Sequence, residues 1–274
     1  MNRLSFRLSQ LATIATATLQ LCSTPCWSQE ATVNIGNRGI SIKPESLEEE
    51  LVAGKFVVSQ LLGSAKLLPN KDLQKYVNLV GKHVANQTER KELKWCFGVI
   101  DSKAINAFAA PGGFILITSS LLEILDSEDE LAAVLAHEIA HVVKKHHYRV
   151  IRKQQMLEFG MNAVEIENAG KANKLSSMVA QVIARGLDKN AEFEADRDGM
   201  VYAARAGYDS SALIRIMEKL AAQNKGDEST QLVFSTHPSP SDRANALSVA
   251  ATAEIENAAS KSKASSRWQI NFKK

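Results

Sequence analysis

The chain has 274 residues, 45% hydrophobic and 23% charged, which suits one sizeable globular domain and excludes a disordered or fibrous chain. Its 33 Lys and Arg stand against 30 Asp and Glu, a formal net charge of +3. So even a balance argues against nucleic acid as a partner.

The first 28 residues carry Arg3 and Arg7 and no acid. A weakly apolar stretch runs from Leu8 to Cys22, and Ser23, Thr24, Pro25 and Ser28 follow. A basic start, an apolar middle and a small residue before the cut is the layout of a secretory signal peptide, with cleavage expected near Ser28–Gln29. A mitochondrial transit peptide is the alternative, since it too is Arg-bearing, Ser-rich and acid-poor. The bulk of Leu21 disfavours lipid attachment at Cys22. Cleavage removes Cys22 and Cys26, two of three cysteines, so no internal disulfide is expected. The rest of the chain lacks any run of ~18 or more uninterrupted apolar residues, so no membrane span is expected in the mature protein.

Residues 29–45 hold Gly36, Gly39 and Pro44 and read as an extended lead-in. A folded domain is expected over 46–260. Its first helix spans Ser46 to Leu68, with Glu48, Glu49 and Glu50 where the helix dipole favours acids. Pro69 and Asn70 end it, and a second helix runs from Lys71 to Thr88. Trp95 to Ile100 reads as a strand. Asn106 to Pro111 reads as a turn-bearing link, Gly112–Gly113 as a sharp break, and Phe114 to Thr118 as another strand. Ser119 or Ser120 caps a short helix through Leu125. Ser127 and Glu130 form a capping box that opens a long helix to about His147. Residues 150–187 look helical, with breaks at Gly160 and Gly170. Helices over Asn190–Ala206, with Gly207 as C-cap, and Ser210–Asn224 come next. A loop with Pro238 and Pro240 leads to a helix from Ser241 to Ala259. A basic, flexible tail covers 261–274. The fold class expected is mainly α, with a small β-sheet.

His137-Glu138-Ile139-Ala140-His141 is an HExxH motif. The i, i+4 spacing puts both imidazoles on one helix face, near enough to share a metal, and turns Glu138 towards water rather than the metal. A chain of this length shows the pattern by accident about one time in a hundred, and an accidental pair would be two solvated surface histidines. The apolar setting argues otherwise: Leu131, Val134, Leu135, Ile139 and Val142 mark a buried helix, where histidines need a polar partner or a metal. A catalytic zinc site needs a third protein ligand. The candidate is Glu192, one turn before Asp196, which would orient a ligand histidine. Glu194 points elsewhere, and an ordinary solvated acidic face is the alternative.

HExxH, followed by Glu-x-x-x-Asp within Asn190-Ala-Glu-Phe-Glu-Ala-Asp-Arg-Asp-Gly199, resembles metallopeptidase family forty-eight, which includes CAAX prenyl endopeptidases, HtpX-type heat-shock proteases and BepA-type periplasmic proteases. Asn106 to Phe114, Ala206-Gly-Tyr-Asp209 and Ser235-Thr-His-Pro238 with Arg243 agree, so the similarity spans roughly residues 45–250. The resemblance implies a zincin-like domain over 46–260. It implies one zinc per chain held by His137, His141 and Glu192, Glu138 as general base, and Asp196 beside a ligand. His237 and Arg243 resemble a pair on a loop near the metal, where a histidine in the open coordination position holds some members latent. Asn106, Gly113 and Phe114 fall in the family's substrate-edge region, and an extended peptide is expected to add to a free edge of the strand Phe114–Thr118. Lys189 stands where the family often has Arg, which loses a planar fork but keeps the charge. His146 and His147 read as surface residues at the helix end. The membrane helices and long C-terminal repeat domain of some members are not seen, so the expected protein is a compact, soluble periplasmic one. Its expected work is hydrolysis of misfolded or stalled envelope proteins by Glu-assisted attack of zinc-activated water. The alternatives are a largely latent homologue acting as chaperone or assembly factor with the envelope assembly machinery, and a zinc-stabilised interaction module.

Overall fold

The computed structural model of the chain describes residues 46–159, 186–223, 227–237 and 239–249. The expected leader over 1–28, the lead-in over 29–45, the breaks at Gly160 and Gly170, Pro238 and the tail over 261–274 lie outside them.

Helix α1 (Leu47–Ser64) starts at Ser46, whose side chain accepts from the Glu49 N–H at 3.2 Å. Helix α2 (Lys71–Ala85) starts in the same way at Asn70. Three strands follow, β1 (Cys96–Ile100), β2 (Ala107–Ala110) and β3 (Phe114–Thr118). They form one sheet in the order β1-β3-β2, with β1 parallel and β2 antiparallel to β3. The expectation of a turn-bearing link over Asn106–Pro111 is thus corrected, since its middle is a strand. Four residues of Ala-Phe-Ala-Ala carry little strand preference of their own; pairing with the β-branched β3 supplies the rest.

This topology also corrects the expectation of a free edge on β3, which is the central strand. The far edge of β1 is taken up by α2. Gln74 accepts from the Val99 N–H at 2.8 Å and donates to the Val99 carbonyl at 2.7 Å. Asn78, one turn on, pairs in the same way with the N–H and carbonyl of Phe97. Two side-chain amides at i, i+4 therefore act as a further strand. Among the described residues β2 is left as the open edge. Thr118 donates to the Asn106 carbonyl at 3.0 Å, so 106 and 118 are a hydrogen-bonded pair of the ladder. By its alternation, the N–H and carbonyl groups of Ala107 and Ala109 point away from β3.

A short helix, α3 (Ser119–Ile124), is capped by Thr118 rather than by a serine. Helix α4 (Glu128–Val143) is buried at every residue from Glu130 to Val143, as befits the central helix of the domain. Ser127 caps it at the Glu130 N–H, and the Glu130 carboxylate reaches back one residue further than expected, to the Asp126 N–H at 2.7 Å. Tyr76 and Tyr208 both donate to Glu128 at 2.8 Å and fix its first turn. The helix does not continue to His147. Lys145 has φ of 58°, and a new helix, α5 (His146–Phe159), begins after it.

Helix α6 (Lys189–Ala206) ends at Gly207 with φ of 96° and lies against α4. The two backbones meet at Gly199, where a Cβ would stand 3.0 Å from the His137 nitrogen. Helices α7 (Ala212–Ala222), α8 (Glu228–Thr236) and α9 (Pro240–Val249) complete the described chain. Sequence reading treats α8 as loop. The fold is mainly α with a small sheet, as expected. No helix among the described residues is long and apolar enough to cross a membrane. Cys96, the one cysteine among the described residues, is buried at the start of β1. Cys22 and Cys26 lie outside the described residues.

Candidate metal centre

Donor atoms of His137, His141, Glu192 and His237 all lie within 4.8 Å of one another, and these four form a buried cluster that could hold a metal. His137 and His141 stand one turn apart on α4, their Nε2 atoms 3.0 Å apart. Glu192 comes from the first turn of α6, with Oε1 3.4 Å from His141 Nε2 and Oε2 3.7 Å from His137 Nε2. Ligand atoms bound to one tetrahedral ion at ~2.0–2.1 Å sit roughly 3.3 Å apart, so the triangle has the right size. Glu192 Oε1 and Glu138 Oε2 are buried without a hydrogen-bond partner, and a buried carboxylate oxygen so placed needs a cation or water. The donor set of two imidazoles and a carboxylate suits zinc.

Asp196, one turn after Glu192, is fully buried with Oδ1 2.9 Å from His137 Nδ1. Arg243, in the first turn of α9, reaches in from the other side. Its Nε donates to Asp196 Oδ2 at 2.8 Å, its Nη2 to Asp196 Oδ1 at 2.5 Å, and its Nη1 lies 2.9 Å from Glu192 Oε2. The fork holds both carboxylates in place. Lys189 lies 3.7 Å from Asp242 in an exposed pair, apart from the buried cluster.

His237 caps the C-terminus of α8. Its Nδ1 lies 3.0 Å from Glu192 Oε2, and its Nε2 3.7 Å from Glu138 Oε1. The α8 helix that sequence reading missed is what brings His237 here; Asp227, its N-cap, was the available signal.

Charges in this pocket are strongly perturbed. Burial raises the Glu138 carboxyl above its ordinary range, only partly offset by His237 and His137. Burial works on Glu192 in the same sense, but His237 and Arg243 outweigh it and hold it at about 2. Burial, reinforced by the neighbouring histidines, keeps His141 neutral, as a metal ligand must be.

His146 and His147 are not the surface residues expected. His146 is buried, with Nδ1 2.8 Å from His141 Nδ1 and Nε2 3.2 Å from Glu194 Oε2. His147 lines a cleft beside the cluster. The cleft's floor carries Glu138 and His237, one wall is β2 from Ala107 to Ala109 with Pro111, and the other is apolar, with Val57, Leu61 and Ile151. Of the residues expected to bind substrate, Asn106 is fully buried and accepts from Thr236 Oγ1 at 3.2 Å. Gly113 has φ of 94°, its carbonyl accepts from the Cys96 N–H at 2.9 Å, and a Cβ there would meet Leu93 and Trp95. Phe114 packs against the α1 side of the sheet. The wall of the cleft is the strand between Asn106 and Gly113.

The sequence model of peptidase family M48 matches residues 71–251. The chain is 31% identical over 210 residues to the beta-barrel assembly-enhancing protease of Yersinia pestis, covering 72% of this chain and 43% of that protein. It is 32% identical over 209 residues to the protein of that name from Escherichia coli (strain K12), with the same 72% and 43% covered. The mitochondrial metalloendopeptidase OMA1 of Arabidopsis thaliana is 28% identical over 185 residues, 68% of this chain and 37% of that protein. The chain thus spans less than half the length of these relatives.

Proposed function

Because this chain belongs to peptidase family M48, we propose that it is a zinc-dependent endopeptidase that hydrolyses peptide bonds of unfolded or misassembled envelope proteins. The observation that carries the reading is the buried cluster of His137, His141, Glu192 and His237, with Glu138 beside it on the floor of a cleft whose wall is an open strand edge. A zinc ion held there would supply Lewis acidity, polarising a scissile carbonyl and making water a stronger acid.

Each side chain then has a task. His137, His141 and Glu192 hold the ion, and Asp196 fixes the His137 ring through its Nδ1. Arg243 keeps Asp196 and Glu192 charged and still. Glu138 takes a proton from the attacking water and delivers it to the leaving amine, a role suited to a carboxyl whose affinity for protons burial has raised. An extended peptide adds to β2 through the N–H and carbonyl groups of Ala107 and Ala109, and side chains on the far side of the peptide meet Val57, Leu61 and Ile151. Envelope substrates and work in the periplasm are supported by the leader-like residues 1–28 and by the beta-barrel assembly-enhancing proteases among the relatives.

The second reading, a largely latent member acting as chaperone or assembly factor, is favoured by His237 standing within the donor cluster. There it would be placed to bind the ion as a fourth ligand in place of water or substrate. Metal analysis and casein cleavage on wild type, Glu192→Ala and His237→Ala separate these. One zinc per wild-type chain, with metal and cleavage both lost in Glu192→Ala, supports the peptidase. Glu192→Ala that keeps full zinc and full activity overturns the ligand set. Faster cleavage by His237→Ala supports a latch, and an unchanged rate removes it.

A further inference from the structure

The two ligand histidines are not held alike. His137 presents its Nδ1 to Asp196, 2.9 Å away. His141 lies one turn further on and has no carboxylate at its Nδ1; what lies there, at 2.8 Å, is the Nδ1 of His146. His146 is 6% exposed, and its other nitrogen lies 3.2 Å from Glu194 Oε2. Glu194 is in turn 3.1 Å from Lys144 Nζ, which also bridges to Asp198 at 2.8 Å.

We propose that His146 and Glu194 are positioning residues for the metal, forming a relay that orients His141 as Asp196 orients His137. The inference rests on His141 being a metal ligand. The tautomers follow from that requirement. A ligand His141 gives its Nε2 lone pair to the ion, so its proton is on Nδ1 and must be donated. His146 Nδ1 is then the acceptor, which puts the His146 proton on Nε2, where it is donated to the Glu194 carboxylate. Every N–H in the chain meets an acceptor, and the relay ends on a charged, half-exposed group that Lys144 steadies.

The local backbone explains how a residue five along the chain reaches back. On a continued helix His146 would be turned away from His141. The left-handed Lys145 breaks α4 and lets His146 fold over the end of it. Helix α6 then supplies three acids in alternate positions, Glu192 to the metal, Asp196 to one histidine and Glu194, by way of His146, to the other.

The experiment compares wild type, His141→Ala, His146→Phe, His146→Asn and Glu194→Ala. Zinc affinity is read by competition with a chromophoric chelator at fixed pH. The visible spectrum of the cobalt(II)-loaded protein reports ligand geometry, and thermal unfolding of the metal-free protein reports folding. His146→Phe is expected to bind zinc about 10–100-fold more weakly and to change the cobalt spectrum. His146→Asn puts an acceptor back near the Nδ1 position and recovers part of the loss. Glu194→Ala, at a 37% exposed side chain, gives a smaller loss. If His146→Phe folds, binds zinc within about twofold of wild type and leaves the cobalt spectrum unchanged, the relay is wrong. If His146→Phe does not fold, wild-type affinity in both His146→Asn and Glu194→Ala overturns it. Retention of zinc by His141→Ala sinks the ligand assignment itself, which is a separate failure.

Discussion

Replacing Arg243 with Met should be the most damaging single change at the site that leaves the metal ligands in place. The guanidinium is 5% exposed and serves two buried carboxylates, Asp196 through a two-pronged contact and Glu192 through Nη1. Removing one partner from a buried ion pair costs about 3–5 kcal/mol, because the charge left behind has lost both water and counterion. In a domain of this size ~1 kcal/mol moves the midpoint by roughly 2–4 °C, so Arg243→Met should unfold about 6–20 °C below wild type. The assay is thermal unfolding followed by circular dichroism in excess chelator, so that lost metal binding does not enter. Arg243→Lys keeps the charge but not the fork and should fall between the two. Adding Asp196→Asn to Arg243→Met removes one stranded carboxylate, so the double variant should lose at least about 1 kcal/mol less than the sum of the singles. A drop of under about 3 °C for Arg243→Met, or strict additivity, would refute the reasoning.

Other changes probe the frame around the site. Gly199→Ala sets a methyl 3.0 Å from the His137 nitrogen and 3.1 Å from the Ala136 carbonyl carbon, and backbone atoms cannot give way. It should cost about 1–3 kcal/mol in the same unfolding assay and weaken zinc binding, because α6 carries Glu192; a neutral result would mean the helices are not so close. Gln74→Leu strips the Val99 N–H of its acceptor, while the Val99 carbonyl keeps Leu68. About 1–3 kcal/mol should be lost with peptide hydrolysis otherwise intact. Ala109→Pro removes an N–H that faces the cleft on an edge strand, where proline is tolerated. KM for an extended peptide should rise while zinc content holds, and an unchanged KM would detach substrate from β2.

The centre of the molecule was legible because its signals are local. HExxH on α4 carries its own spacing, its cap at Ser127 and an apolar setting on every side. Glu192 and Asp196 share a face by helical arithmetic alone. What escaped sequence reading depends on partners far along the chain. β2 is four small or aromatic residues that become a strand only against β3. Its placement, not its composition, decides which edge is open. α8 is short and runs into the Pro- and Ser-rich segment 237–241, so its cap at Asp227 is a weak signal on its own. His146 reads as a surface residue because Lys145 gives no hint of its left-handed turn. Without that turn, Glu194 is only a residue that points away from the face shared by Glu192 and Asp196. Resemblance alone sets Arg243 near the metal; its buried fork between Asp196 and Glu192 is visible only in the fold.

The most direct test of the central claim is the turnover of an unfolded protein such as casein by zinc-loaded wild type beside zinc-loaded Glu138→Gln. Removing the general base should leave one zinc per chain and lower kcat by about 10²–10⁴-fold. Equal rates in the two proteins would contradict a Glu138-assisted hydrolysis, and no cleavage by either, nor by His237→Ala, would move the chaperone reading ahead of the peptidase.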